Sequence, residues 1–149
     1  MKEDNSQKKH NIEELLKNGI TVSFKPMGYS MYPMIVPDRD EVTIASIKGH
    51  QIRRGDVLVY RRPAGKLIIH RVYKATSDSV YMIGDNEHVV EGPIPKSVVY
   101  GYMTSFSHNN RHYSTRNIIY KAYYNIWLLL INFSEPIGNL VHKLKKGRK

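Results

Sequence analysis

Short segments of alternating apolar and polar residues, separated by turn residues, fill the middle of the chain. Glu41–Ala45 shows this alternation, and a period of two is typical of strands with one buried face. The other strand-like segments are Ile20–Phe24, Val57–Tyr60, Leu67–Tyr73, Val80–Ile83 and Val98–Met103. Because their connections are short and hairpin-like, the pattern predicts a mainly β fold, with a small coiled antiparallel β-structure in residues 20–106.

A short helix is predicted before the first strand. Asn11 is a candidate N-cap, apolar residues follow at positions 12, 15 and 16, and Gly19 can end the helix. Residues 1–10 are polar and of mixed charge, without an apolar stretch that could form a signal-peptide core or a membrane anchor. We therefore divide the chain into an N-terminal segment with a short helix (1–19), a β-domain (20–106) and a tail (107–149).

The tail has apolar residues at alternating spacings of four and three, which place them on one face of an amphipathic helix. Lys121 and Asn125 lie on the opposite face, Pro136 is expected to kink or split the helix, and Ser134 can cap a second segment. The members of the apolar face are Ile119, Tyr123, Ile126, Leu130, Phe133, Ile137, Leu140 and Leu144.

The apolar segment Ile126–Ile131 is too short to span a bilayer, which needs about 20 predominantly apolar residues. The tail helix is therefore predicted either to pack on the β-domain or to lie in the membrane interface. In the second case residues 116–149 would bind an anionic membrane surface, and truncation after about Asn110 is expected to leave the chemistry of the β-domain intact.

Composition and charge narrow the classes of function. The 149 residues carry a net charge of +10 and include no cysteine, which excludes disulfides, thiolate nucleophiles and zinc-thiolate sites. The basic character is concentrated in residues 111–149, which contain eight Lys or Arg residues and one acidic residue. A basic tail suits anionic lipid, nucleic acid or an acidic peptide. Since no helix-turn-helix, RNP-like segment or zinc spacing is present, we do not expect nucleic acid as a partner.

The candidate chemistry begins in Gly28–Pro33, where Ser30 stands between a turn-permitting glycine and a proline. Such a serine lies on exposed backbone, where its hydroxyl can meet a substrate. A serine hydroxyl needs a base within hydrogen-bond reach, often from a distant part of the sequence. The alternative for this segment is a simple turn before a strand, and Met31 and Ile35 are predicted to be core residues.

Three further segments follow the Ser-Met-x-Pro sequence, namely Gly55–Tyr60, Ile68–Val72 and Gly84–Asn86. In order and spacing these segments closely resemble the signal peptidase I family of serine peptidases, from about Val22 to Met103. The residue before the Arg-Val pair is usually lysine in the bacterial enzymes, and here it is His70, as in the endoplasmic-reticulum type of signal peptidase. The resemblance implies a fold of the signal-peptidase and LexA type.

The resemblance also implies a serine endopeptidase that works by acyl transfer, with Ser30 as nucleophile, His70 as general base and Asp85 as the group that orients the imidazole. Periodicity alone favours a core role for His70, because it shares an apolar strand face with Ile68 and Val72. The backbone N–H of Ser30 is expected to hold the oxyanion. The mechanism requires no metal and no cofactor.

Three more residues are candidates for supporting roles. In the reticulum-type enzymes a second aspartate lies six residues beyond the Gly-Asp-Asn aspartate, and this position is Glu91 here, which either supports the site or marks a surface loop. Asp56 is predicted to close a turn on nearby backbone amides, with a supporting role at the site as the alternative. Arg71, next to His70, is the third candidate.

The expected substrate is a signal or leader peptide, or a preprotein, with small side chains just before the cut, as the resemblance implies. It should lie extended beside the sheet as an added strand. Two alternative functions remain open: a self-processing regulator of the repressor-peptidase type, and a non-catalytic peptide-binding module of the same fold. The expected location is the cytoplasm or the periphery of the cytoplasmic membrane.

Overall fold

The computed structural model describes residues 12–130, which form a mainly antiparallel β-sheet flanked by helix α1 (12–17) and helix α2 (118–130). A single 3-10 turn, Lys96–Val98, lies between the sixth and seventh strands of this part of the chain. The strands are β1 (Val22–Phe24), β2 (Val42–Ser46), β3 (Val57–Arg61), β4 (Leu67–Ala75), β5 (Ser79–Ile83), β6 (Glu91–Pro95), β7 (Val99–His108) and β8 (Arg111–Ser114).

The strand order is β1-β2-β7-β3-β4-β5-β6, and β8 extends β7 beyond this path. Every pairing is antiparallel, which confirms the predicted fold class. The sequence pattern missed β6 and β8. β6 contains Pro93 and Pro95, which an edge strand tolerates because the side without a partner needs no N–H donors. β8 consists of polar residues that show no apolar alternation.

The β3–β4 hairpin sets the position of His70. Residues 62–66 form its loop, and the register pairs Leu58 with His70 and Val57 with Arg71. Side chains alternate between the two faces of a strand, so His70 and Arg71 point to opposite faces of the sheet. The predicted antiparallel hairpin, and the shared face of His70, Ile68 and Val72, are therefore confirmed.

Two apolar cores lie on opposite faces of β3. Val57 and Val59 pack into the first core, and Leu58 and Tyr60 pack into the second. Met31 and Ile35 belong to the first core, as predicted. The first core also contains Leu16, Met34, Val42, Ile44, Met103, Phe106 and Tyr120, and the second contains Val72, Val80, Met82, Ile94 and Val99.

Helix α1 ends as its sequence predicts. Gly19 has a positive φ of 82°, and its N–H donates to the carbonyl of Leu16, while the N–H of Ile20 donates to that of Leu15. Glycine reaches this conformation without steric cost, which is why it so often ends helices. The predicted N-cap Asn11 lies outside the described residues. Between residues 12 and 130 no helix has the length and apolar character needed to cross a membrane.

The predicted boundary between residues 106 and 107 falls inside β7, which continues to His108 and pairs with β8. Helix α2 then packs on the first core through Tyr120. The β-domain therefore extends to at least residue 130, because β8 and α2 share its sheet and its core. The predictions for Ser134, Pro136 and the rest of 131–149 lie outside the described residues.

Helix α2 packs on the domain with a different face from the one predicted. Asn117 caps it, since its side-chain oxygen accepts from the N–H of Ile119 at 2.8 Å. Tyr120 and Leu128 are buried, whereas Ile119 and Ile126, from the predicted apolar face, are exposed. Tyrosine rings fill the contact with the sheet, and this contact leaves the aliphatic face outside.

Candidate active site

Ser30 lies in a series of turns between β1 and β2. Gly28 has a φ of 86°, and the N–H groups of Tyr32 and Ile35 donate to the carbonyls of Tyr29 and Met31. The buried side chains after Ser30 anchor this loop to the first core. Ser30 itself is half-buried, and in residues 12–130 neither its hydroxyl nor its N–H has a hydrogen-bond partner. Both groups are therefore available to a substrate.

The loop Gly84–Glu87 joins Ser30 to the surroundings of His70. The N–H of Asn86 donates to the carbonyl oxygen of Ser30 at 2.8 Å. A Cβ on Gly84 would lie 2.6 Å from that same oxygen and 3.0 Å from the Glu87 side chain, so this close approach requires glycine. Glu87 in turn places Oε1 3.6 Å from Nε2 of His70.

His70 is almost completely buried, with 2% of its surface exposed. Its Nδ1 lies 3.2 Å from the hydroxyl of Tyr60, and that hydroxyl donates to Oε2 of Glu91 at 2.8 Å. Arg62 completes the chain, because its guanidinium donates to both oxygens of Glu91. The base predicted from the sequence therefore stands at the end of a row of three polar side chains.

The ionisation of this row is set by burial and by the neighbouring charges. Burial and the bond to Glu91 raise the pKa of Tyr60, so the phenol keeps its proton. Burial acts to raise the pKa of Glu91, but the hydrogen bonds from Arg62 and Tyr60 outweigh it and hold the pKa below 4.5. Glu91 is therefore a carboxylate and can only accept hydrogen bonds.

These protonation states assign the tautomer of His70. The single hydroxyl proton of Tyr60 is donated to Glu91, so the Tyr60 oxygen must accept from His70, and the donor is Nδ1–H. Burial lowers the pKa of His70 from 6.5, which keeps the ring neutral near pH 7. A neutral imidazole with a proton on Nδ1 has its lone pair on Nε2, on the side of the 84–87 loop.

Asp85 does not contact His70. Both of its oxygens accept from Arg71, each at 2.7 Å, and the two side chains are fully buried. Burial acts to lower the pKa of Arg71, but the charge and hydrogen bonds of Asp85 outweigh it and raise the pKa further, so the guanidinium stays charged. Asp85 therefore makes a structural contact instead of the expected orienting contact with His70. Its ion pair with Arg71 fixes the loop that holds Ser30.

The three supporting candidates have separate positions. Glu91 reaches His70 through Tyr60, while Arg71 acts on the loop through Asp85. Asp56 accepts from the N–H of Arg53 at 2.9 Å and lies 2.8 Å from Nε2 of His50, so it closes a turn as predicted. No group of three or more His, Asp or Glu side chains between residues 12 and 130 is arranged to hold a metal ion.

Sequence reasoning missed Tyr60, Glu87 and Arg62. The register gives the signal for Tyr60, because Leu58 faces His70 and the residue two positions along lies diagonally across on the same face. Glu87 and Arg62 lie in loops, where no periodicity indicates which way a side chain points. We compared the chain with protein-family models and with curated proteins, and neither comparison found a match.

Proposed function

We propose that the protein is a serine endopeptidase that cleaves signal or leader peptides by acyl transfer, with Ser30 as nucleophile and His70 as general base. The observation that carries the proposal is the row from Glu91 through Tyr60 to Nδ1 of His70, which leaves the lone pair on Nε2 beside the loop that contacts Ser30. A buried, neutral imidazole with a fixed lone pair is what a general base requires. The resemblance of the Ser-Met-x-Pro segments points to the same chemistry.

In the proposed reaction, substrate binding brings the Ser30 hydroxyl and Nε2 of His70 into hydrogen-bond contact. Ser30 Oγ attacks the peptide carbonyl while its proton passes to Nε2. The imidazolium then protonates the leaving amine, and the C–N bond breaks to leave an acyl ester on Ser30. Water, deprotonated by His70, attacks this ester and releases the acid and the free enzyme.

The neighbours of His70 stabilise the imidazolium that forms in the middle of this sequence. The charge of Glu87, 3.6 Å from Nε2, raises the pKa of His70 and partly opposes the effect of burial. Tyr60 accepts from Nδ1–H and donates to Glu91, and this row holds the ring in one orientation. The oxyanion is bound by the backbone N–H of Ser30, which has no other acceptor among residues 12–130.

The substrate binds as an extended strand along the β1 edge of the sheet. In the strand order β1-β2-β7-β3-β4-β5-β6 the two edge strands are β1 and β6, and β6 lacks N–H donors at Pro93 and Pro95. β1 ends at Phe24, six residues before Ser30, so a peptide that pairs with it runs towards the nucleophile. Small side chains before the cut allow the chain to approach the loop closely.

The test is digestion of a proteome-derived peptide library with cut sites identified by mass spectrometry. The wild-type protein should produce a defined set of cuts, and S30A should lose about 10³-fold or more of the rate. The matched control is S97A, at an exposed serine in the 3-10 turn, which should cleave like the wild type. A fluorophosphonate probe should label the wild type and S97A but not S30A.

Other outcomes separate the alternatives. Equal peptide binding by wild type and S30A without any cut or label would identify a binding module. Cleavage confined to the protein's own chain would identify a self-processing regulator. Unchanged library cleavage by S30A would overturn the assignment of the nucleophile.

A further inference from the structure

The outward face of helix α2 is aliphatic and exposed to solvent. Residues 119, 122, 126 and 130 are separated by three or four positions, so they lie on one face of the helix. Ile119, Ile126 and Leu130 have 75%, 59% and 63% of their surface exposed. Ile118 and Leu129 extend the same face. Such a contiguous apolar stripe marks an interaction surface. We call residues 118, 119, 122, 126, 129 and 130 the α2 stripe.

The opposite face of α2 fixes the orientation of this stripe. The Tyr120 hydroxyl accepts from Arg71 at 2.9 Å, and its ring packs against Phe106 and Tyr124. Tyr124 lies directly against the backbone of Gly55, where no Cβ would fit. Because the inner face is bound to a buried ion pair and to the sheet, the α2 stripe cannot rotate inward without breaking these contacts.

A basic cavity lies at the segment that leads into Gly55. It has a volume of about 560 Å³, and three of its lining residues are Arg53, Arg54 and Lys74. Arg54 directly precedes Gly55, which contacts Tyr124 of the helix. In residues 12–130 none of the three cations forms an ion pair with an acid. The cavity is therefore a cationic recess, and one of its lining residues is bonded to the residue that α2 contacts.

The helix and the segment before it add to this charge. Arg111 and Arg116 precede α2, Lys121 lies within it, and residues 111–130 contain no acid. Lys121 and Asn125 are exposed and, by helical spacing, lie between the α2 stripe and Tyr124 on the helix surface. An aliphatic stripe flanked by basic and polar side chains is typical of helices that lie in the interface of a lipid leaflet.

We infer that the α2 stripe and the basic cavity together form a docking surface for an anionic lipid membrane. The aliphatic side chains enter the acyl boundary, and Arg53, Arg54 and Lys74 bind headgroup phosphates. Charge decides for lipid over a second copy of the chain. A symmetric dimer through this surface would bury the unpaired cations of both copies in one interface, at a cost in desolvation.

The first test uses the wild-type protein and its single tryptophan, Trp127, which lies within α2. Phosphatidylcholine vesicles with about one third phosphatidylglycerol should shift its fluorescence to the blue at low salt, and brominated acyl chains should quench it. Pure phosphatidylcholine should give at least tenfold weaker binding. No shift and no quenching with the anionic vesicles, or equal binding to both kinds, would overturn the inference.

The second test assigns the surface by vesicle sedimentation. I119S/I126S/L129S, which changes only exposed side chains, should lose binding at least a hundredfold. R53Q/R54Q/K74Q should lose roughly tenfold to a hundredfold and show a weaker salt dependence. The matched control K25Q/K48Q/K66Q removes the same charge from exposed lysines elsewhere and should lose much less.

Two outcomes would contradict this assignment. Equal losses in the two charge variants would mean that net charge, rather than the cavity, attracts the vesicle. Full binding by the stripe variant, together with its change from dimer to monomer in sedimentation velocity, would identify a second copy as the occupant. Peptide cleavage in solution is a separate readout, so failure of this inference leaves the proposed peptidase function standing.

Discussion

Tyr60 determines which nitrogen of His70 is basic. Its one proton goes to Glu91, which obliges Nδ1 of His70 to donate and leaves Nε2 as the acceptor. Arg62 keeps Glu91 ionised, so the direction of the hydrogen bonds is fixed along the whole row. A phenol thus connects the histidine to its carboxylate, at 3.2 Å on one side and 2.8 Å on the other.

Y60F is therefore expected to lower kcat while KM changes little. Without the hydroxyl, Nδ1–H loses its acceptor and the neutral ring can carry its proton on Nε2, where it cannot act as base. A wrong tautomer costs about 10⁴-fold in a serine triad, so we expect a loss of roughly tenfold to a thousandfold here. The control is Y81F, on β5, which should retain full activity. Unaltered kcat in Y60F would contradict the tautomer assignment.

The pH profile of kcat/KM should report the ionisation of His70. Burial lowers its pKa below 6.5, so the activity should be level near pH 7 and fall on the acid side with a midpoint below 6.5. Glu87 acts to raise this pKa, and E87Q should therefore move the midpoint to a lower pH. E41Q, at an exposed glutamate, is the control. A midpoint at or above 6.5, or a shift to higher pH in E87Q, would be inconsistent with this environment.

At the scale of elements, contacts from helix α2 help to hold the candidate site in place. Arg71 donates to the Tyr120 hydroxyl, to the carbonyl of Gly55 and to both oxygens of Asp85. The backbone of the same loop binds Ser30 through Asn86. The helix is thus connected to the Ser30 loop through one buried cation. The expectation that truncation after about Asn110 leaves the chemistry intact does not fit this arrangement.

Removing α2 by a stop after Asn117 should destabilise the protein and abolish activity together. Y120F isolates one part of this effect, because it deletes only the hydroxyl that accepts from Arg71. Loss of a hydrogen bond to a buried charged group costs about 1–3 kcal/mol. Urea unfolding should show this change for Y120F and none for Y113F, whose ring stacks on Phe106. Wild-type stability in the truncated chain would show that α2 is not part of the domain.

At the scale of the whole molecule, Asp40 connects the loop that carries Ser30 to the sheet. It accepts from the N–H of Val36 within the loop, from Arg39, and lies 2.9 Å from Nδ1 of His108 at the end of β7. Burial acts to raise the pKa of Asp40, but these hydrogen bonds outweigh it and lower the pKa to about 2. The carboxylate is therefore stabilised in the folded state.

D40N should cost about 2 kcal/mol at pH 7, because one pKa unit corresponds to about 1.4 kcal/mol. Because folding lowers the pKa of Asp40, its carboxylate stabilises the folded protein. This contribution to the free energy of unfolding is complete above pH 3.8 and is lost as the pH falls through about 2. D38N is the matched control, since Asp38 is exposed in the same turn and asparagine tolerates its φ of 61°. Equal unfolding midpoints for D40N and D38N would contradict this role.

Local patterns were sufficient to predict most of the fold. Apolar segments between turn residues identified six strands, the glycine at position 19 marked the end of α1, and the loop Arg61–Lys66 predicted the hairpin that carries His70. Local patterns did not predict β6, which contains prolines, or β8, which is polar. Each forms a strand only because a neighbouring strand supplies the hydrogen bonds.

The sequence by itself determined the candidate nucleophile and base, because residue order along the chain is all that the Ser-Met-x-Pro and His-Arg-Val segments require. Only the tertiary structure decided the partners of these residues. Asp85 and Glu91 are six positions apart and of like charge, yet one is bound to Arg71 and the other reaches His70 through Tyr60. The physical reason is that His70 and Arg71, which are neighbours on β4, point to opposite faces of the sheet. Each carboxylate binds the cation or donor on its own side of the sheet, and the pairing of the strands decides which side that is.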